Sequence, residues 1–184
     1  MARLSPIALN VRGVGVVIRS VEPGDAAAQL RFARELFATS AYTLTTLGEF
    51  TMTEDEERAF IAGALDDPGT VFMDALVSGE IVASLHLAAG KRKKIGHQAL
   101  LGMGVAAGWR GRGIGRAILE TAVGWARAHP VLEMVTLGVY EENEPAVRLY
   151  GSLGFVVYGR LPGALRHEDG TTHTNLDMYL RVKP

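Results

Sequence analysis

Between Met103 and Leu119 the chain reads MGVAAGWRGRGIGRAIL. An apolar, glycine-containing run ends at Val105, and a short turn leads into Arg110-Gly111-Arg112-Gly113-Ile114-Gly115. A segment of helical period follows, with Ile114, Ile118, Ala122 and Trp125 forming one stripe. Strand, glycine-rich loop and helix N-terminus in that order make a binding place for an anion. The first helical N–H groups have no intrahelical acceptor, and the helix dipole adds partial positive charge there. Glycine removes the side chain that would hold a phosphate away from the backbone. Arg110, Arg112 and Arg116 add positive charge, which serves an anion or stays solvated. The stretch therefore predicts a phosphorylated ligand.

The 184 residues suit one domain with a sizeable core, so the whole chain, 1–184, is expected to be a single domain. Hydrophobic residues make up 48% and charged residues 21%, an ordinary globular balance. A formal net charge of −1 argues against a protein built chiefly to bind nucleic acid. The absence of cysteine removes a thiolate nucleophile and Cys-ligated metal, and fits a cytoplasmic protein. No span is apolar enough for a membrane helix. Arg12 and Arg19 interrupt the N-terminal apolar run, which reads as a short tail into a first strand rather than a signal peptide.

Outward from the central stretch, seven strands are expected: Val14–Val21, Val71–Val77, Glu80–Leu87, Ala99–Val105, Val135–Tyr140, Phe155–Gly159 and Thr174–Val182. Ser78-Gly79 joins the second and third as a tight hairpin. The basic run Lys91-Arg92-Lys93-Lys94 reads as the solvated tip of the next connection. Four helices interleave. The first is capped at Asp25, with Ala26, Leu30, Ala33 and Phe37 along one face. The second opens on the capping box Thr53–Glu56 and turns Phe60, Ile61, Ala64 and Leu65 inward. The third follows the glycine loop and ends at Ala128-His129-Pro130. The fourth opens at Asn143-Glu144-Pro145, buries Ala146, Leu149, Tyr150 and Leu153, and stops at Gly154. Residues 41–52 read as a loop or broken helix, and Arg160–Gly170 as a polar excursion. Gly102, Gly104 and Gly138 lie inside strands, where glycine marks a bulge, a close backbone approach or relief of crowding against a helix.

Two blocks together are specific. The first is Arg110-x-x-Gly113-x-Gly115, and the second is Leu137-x-Val139 followed by Asn143-x-x-Ala146-x-x-Leu149-Tyr150-x-x-Leu153-Gly154-Phe155. In this order the chain resembles the GCN5-related N-acetyltransferase superfamily, which moves an acetyl group from acetyl-coenzyme A to an amine. The resemblance covers most of the chain in element order, and the N-terminal third supports it only through generic strand and helix pattern. It implies an α/β (α+β) fold with a central, mixed, mostly antiparallel twisted sheet of six to seven strands and about four helices. The sheet is splayed between the fourth and fifth predicted strands, and the strand glycines are read as the place of that splay.

The resemblance also assigns roles. The coenzyme's pyrophosphate would lie on the backbone from Gly111 through Gly113, Ile114, Gly115 and Arg116, with Arg110 and Arg112 beside it. The amides of pantetheine would pair with the strand edge at Met103, Gly104 and Val105, where a backbone N–H would also stabilise the oxyanion. Asn143 would face the coenzyme, and Tyr150 would protonate the departing thiolate. The alternative for Tyr150 is a core tyrosine of an amphipathic helix, which its place seven residues after Asn143 disfavours. No metal is implied.

Relatives that carry a glutamate one residue before the position of Val139 use it as a base, but here that residue is Gly138. His97, His86, Glu141, Glu142 or water remain as candidates to take the proton of the amine. The acceptor, a small-molecule or peptide amine, would bind near Tyr42–Thr53 and Leu161–Thr174, and homodimerisation is common in the family. The glycines at 111, 113 and 115 do not meet the dinucleotide fingerprint, and no Gly-Lys-Ser/Thr of a P-loop follows. A coenzyme A-binding sensor or scaffold without catalysis is the alternative of a different class.

Overall fold

The computed structural model describes residues 3–183. Eight strands and four helices follow one another as β1 (Ile7–Val11), β2 (Val14–Ser20), α1 (Ala26–Thr39), α2 (Glu54–Asp66), β3 (Thr70–Val77), β4 (Glu80–Ala89), β5 (Gln98–Val105), α3 (Ile114–Ala128), β6 (Met134–Tyr140), α4 (Glu144–Ser152), β7 (Val156–Arg166) and β8 (Thr172–Arg181). The strands hydrogen-bond in the order β1-β2-β3-β4-β5-β6-β8-β7. All the ladders given below are antiparallel except β5 with β6, which is parallel. The sheet is thus mixed and mostly antiparallel, with one strand more than the six to seven expected.

The chain divides into two compact units, residues 3–88 with 102–122, and residues 89–101 with 123–183. In the first unit the additional strand comes from the segment read as a tail. β1 pairs with β2 through Val11↔Val14, across a two-residue turn in which Arg12 and Gly13 have φ of 52° and 89°. Two successive positive φ values match the right-handed twist of a hairpin. Ser78-Gly79, with φ of 50° and 87°, makes the expected β3–β4 turn in the same way. The Thr53–Glu56 capping box starts α2 as expected, each side chain bonding the other residue's backbone N–H. Asp25 does not cap α1 with its side chain. Its carboxylate instead pairs with Arg19 at 2.6 Å and accepts the Glu22 N–H.

Val21, Ala26, Ile61 and Leu65 form a buried cluster with Phe72 against it. Phe60, expected inward, is 44% exposed and stacks at the rim on Phe72 and His86. On α1 the buried face is Ala26, Gln29, Leu30 and Phe32, so the inner stripe is shifted from Ala33 and Phe37. Gln29 is buried for a polar reason. Its Nε2 donates to both carboxylate oxygens of the fully buried Asp74, at 2.7 and 2.8 Å.

Burial pushes the Asp74 carboxyl up to about 7, against the hydrogen bonds from Ser84 and Gln29 that favour the charged form. Between the ordinary carboxylate range and about 7 the folded protein therefore holds a proton that the unfolded chain has released. Stability is expected to fall as pH rises through that window, by roughly 3 kcal/mol between pH 5 and 8. Urea unfolding at the two pH values checks this, and Asp74→Asn is expected to remove most of the difference.

In the second unit β5 and β6 share a short parallel ladder, Gln98–Leu100 against Met134–Thr136. A short ladder is what a splayed strand pair gives. β8 pairs with β6 from Met134↔Arg181 to Tyr140↔Asn175. Strand alternation turns Val135, Leu137 and Val139 with Leu176, Met178 and Leu180 into one buried face. α4 ends on this face, since a Cβ at Gly154 would contact Leu180. The opposite face carries Thr136, Gly138 and Tyr140 with Asn175, Asp177 and Tyr179. β7 is longer than expected. It runs to Arg166 through the stretch read as a polar excursion, its register shifting between Val157 and Gly159 and again between Leu161 and Leu165. Most of it is exposed, so no alternating apolar pattern marks it in the sequence.

Candidate active site

The first unit holds the glycine loop. The N–H groups of Ile114, Gly115 and Arg116 open α3 without an acceptor inside the helix, and Ala117 N–H is the one that closes onto Gly113 O, at 3.1 Å. Gly111 and Gly113 have φ of 74° and 91°, in the left-handed region that glycine takes without strain. A Cβ on Gly111 would meet nothing within 4 Å, so its surface is open for a ligand. A Cβ on Gly113 would lie 3.1 Å from Val11 Cγ1, because the β1–β2 turn packs against it.

That turn contributes a residue the sequence reading passed over. Arg12 Nη1 donates to Gly111 O at 3.1 Å and so fixes the peptide at the loop's apex. The available signal was Asn10-Val11-Arg12-Gly13 between two β-branched runs, since Asn10 Oδ1 accepts the Gly13 N–H at 2.8 Å.

The three predicted arginines are not equivalent. Arg110 Nε donates to Val105 O at 3.0 Å, and its Nη1 to Thr39 O at 3.2 Å. It ties the end of β5 to the last residue of α1, where a cation also meets the negative end of the helix dipole. Arg112 lies over the Trp109 ring, 5.0 Å from its centroid. Arg116 forms an exposed i,i+4 pair with Glu120 at 3.3 Å. Met103, Gly104 and Val105 make up the C-terminal part of β5, and Ala106 N–H donates to Val82 O just beyond them. Gly104 has its own packing reason: a Cβ there would run into the Leu36 side chain of α1. Of Gly102, Gly104 and Gly138, Gly102 alone has nothing within 4 Å of where a Cβ would stand.

The second unit holds the α4 residues. Asn143 caps the helix, its Oδ1 accepting the Ala146 N–H at 3.4 Å. Tyr150 is 7% exposed and packs on Phe155, with ring centroids 5.7 Å apart. Burial pushes its phenol up to about 12. Among the described residues the Tyr150 hydroxyl has no hydrogen-bond partner, and no fully buried side-chain oxygen lacks one. The hydroxyl is therefore the part of the side chain that meets solvent. This combination keeps the proton on the oxygen at any working pH and leaves it free to donate.

The base candidates separate by surroundings. His86 is held between the rings of Phe60 and Phe72, 5.3 and 5.5 Å away. His97 sits at the entry to β5, its carbonyl accepting the N–H groups of Glu133 and Met134. Glu141 is gripped by Arg160 through two bonds of 2.7 and 2.6 Å, which hold its carboxyl below the usual range. Glu142 is also held low, first by a backbone N–H, and faces His173 at 3.4 Å. His173 stacks on His167 at 4.3 Å, with Tyr140 beside both. Gly138 itself is crowded: a Cβ there would lie 3.1 Å from Asn175 Oδ1. Among the described residues no group of three His, Asp or Glu side chains is placed to hold a metal ion.

The sequence profile of the Acetyltransferase (GNAT) family matches residues 32–155. The chain belongs to that family. The match takes in the glycine loop and the whole Asn143–Phe155 block. Over 98 residues this GNAT chain is 28% identical to the L-amino acid N-acetyltransferase AaaT of Escherichia coli strain K12, covering 51% of this chain and 58% of that protein. Its fold superposes on the GNAT-family acetyltransferase of Streptococcus pneumoniae with a TM-score of 0.88 and 26% identity, over 90% of this chain and 99% of the other. It also superposes on yncA of Salmonella typhimurium, solved with its cofactor acetyl-CoA. There the TM-score is 0.82 with 19% identity, over 92% and 95% of the two chains.

Proposed function

We propose that this protein is an acetyl-CoA-dependent N-acetyltransferase whose 184 residues form one catalytic domain, acting in the cytoplasm on a small-molecule or peptide amine. The observation that carries the reading is the loop Gly111–Gly115, a positive-φ turn opening α3, in a chain of the GNAT family. The residues present fit the coenzyme's pyrophosphate. Backbone N–H groups of Gly111 to Arg116 would receive it, Arg12 keeps the loop in shape, and Arg112 and Arg116 supply charge. Amides of Met103 to Val105 would hold the pantetheine arm and polarise the thioester carbonyl. Asn143 would face the same molecule from the start of α4.

Transfer is direct. The acceptor's neutral nitrogen attacks the thioester carbonyl carbon, and the oxyanion that forms is held by a β5 amide. Its collapse breaks the C–S bond while Tyr150 donates to the departing sulfur. No residue of the chain is acetylated on the way, in keeping with the lack of cysteine. The protonated hydroxyl of Tyr150 favours an enzyme over a sensor of the same fold, since a sensor has no use for an acid at that place. Release of free thiol from acetyl-CoA, measured against a panel of L-amino acids, diamines and short peptides, tests this. Amine-dependent release is expected, whereas coenzyme binding without release would favour the sensor.

A further inference from the structure

The carboxylate that some relatives carry on the strand equivalent to β6 is missing here, where Gly138 stands, yet the sheet returns one to the neighbouring position. Asp177 of β8 is the direct cross-strand partner of Gly138 on β6 and of Gly159 on β7. On both sides the opposing residue has no side chain, so Asp177 stands alone on its rung of the sheet. A Cβ on Gly159 would lie 3.1 Å from Asp177 Oδ2 and 3.4 Å from its Cβ, so the glycine leaves the carboxylate room. Asn175 Nδ2 donates to Asp177 Oδ1 at 2.8 Å, which orients the group and leaves Oδ2 unengaged.

Charge gives this notch its meaning. Asp177 is half-buried, and among the described residues no cation pairs with it. The nearby Arg160 is committed to Glu141. A carboxylate partly withdrawn from water without a counter-ion is a natural receptor for an ammonium group. Its face of the sheet is the one opposite to α4, so it addresses the β6 position from the side away from Tyr150.

We propose that Asp177 receives the amino group of the acceptor and takes its proton, a role that rests on the N-acetyltransferase reading. The ammonium acceptor gives one proton to Asp177. Its freed lone pair forms the N–C bond, the C–S bond breaks, and the sulfur takes the proton of Tyr150. Solvent removes the proton from Asp177, and the second proton, shed by the nitrogen as the amide forms, restores that of Tyr150. The net change is ammonium plus thioester to amide, thiol and one proton.

The test compares wild type with Asp177→Asn and Asp177→Glu, using the L-amino acid and diamine panel and, separately, hydroxylamine, a nucleophile already neutral at pH 7. For Asp177→Asn, kcat/KM toward the protonated amines is expected to fall roughly 10²-fold. Hydroxylamine acetylation and acetyl-CoA affinity should stay near wild type, and Asp177→Glu should recover part of the loss. Equal loss with both nucleophiles, or no loss with either, would overturn the role of Asp177. Should Asp177→Asn fail to fold, an Asp177→Glu enzyme with no activity toward protonated amines would count against it as well. A wild type that binds acetyl-CoA and acetylates no nucleophile would overturn the transferase reading instead, and this role with it.

Discussion

Replacing Tyr150 by phenylalanine is expected to lower kcat by about 10²-fold or more while acetyl-CoA affinity stays near the wild-type value. The ring keeps its burial and its contact with Phe155, so only the hydroxyl is removed. With the phenol pushed up to about 12 by burial, Tyr150 remains protonated across the whole assay range. No ionisation of Tyr150 should therefore appear in the pH–rate profile below pH 10. The same value bears on how the proton moves. An ordinary thiol lies about 3 pK units lower, so complete transfer to a free thiolate would be uphill by roughly 4–5 kcal/mol. In the proposed transfer the hydroxyl would therefore act first as a hydrogen-bond donor to the departing sulfur, the proton following as negative charge builds up there. Unchanged kcat in Tyr150→Phe, under conditions where chemistry limits the rate, would remove the residue from the mechanism.

Gly113→Val is expected to weaken acetyl-CoA binding by at least roughly tenfold, through the backbone rather than through a lost contact. At φ of 91° any L side chain is strained, and a β-branched one most of all. The strain alone is worth about 1–3 kcal/mol. In addition, the new Cβ would press on Val11 Cγ1 at 3.1 Å, so the loop or the β1–β2 turn must move. Either movement disturbs the bond from Arg12 to Gly111 O and shifts the first turn of α3. Gly108→Ala is the matched control, because a Cβ there meets nothing within 4 Å and its backbone needs no positive φ. Calorimetric titration with acetyl-CoA, together with a melting curve for each variant, separates loss of binding from loss of fold. Wild-type affinity in Gly113→Val would contradict the phosphate-loop assignment.

What was legible in the sequence was whatever is local. The strand–glycine–helix order around Gly113, the cap at Asn143 and the capping box at Thr53 are each decided within a few residues, and each stands in the structure as read. What depends on register was not legible. Nothing in the outward half of β8, His173-x-Asn175-x-Asp177-x-Tyr179, distinguishes it from a solvated strand face. Only the pairing of Asp177 with two glycines gives that carboxylate a setting. Arg12 is a similar case, because its partner lies 99 residues away. β7 was cut short because an exposed edge strand has no apolar period to show. For Gly104 the sequence left a splay or relief of crowding against a helix, and the Leu36 side chain of α1 supplies the crowding. Nor was it legible that Arg110, which the motif places beside the anion, also donates to Val105 O and Thr39 O. No helix among the described residues is long and apolar enough to cross a membrane.

The decisive measurement is the initial rate of thiol release by the wild-type protein with acetyl-CoA and an accepted amine both varied. Direct transfer from a coenzyme on the Gly111–Arg116 loop to an amine predicts release that requires the amine and double-reciprocal lines that intersect. Parallel lines would mean an acetylated enzyme, and release indifferent to the amine would mean that the protein does not carry out this transfer.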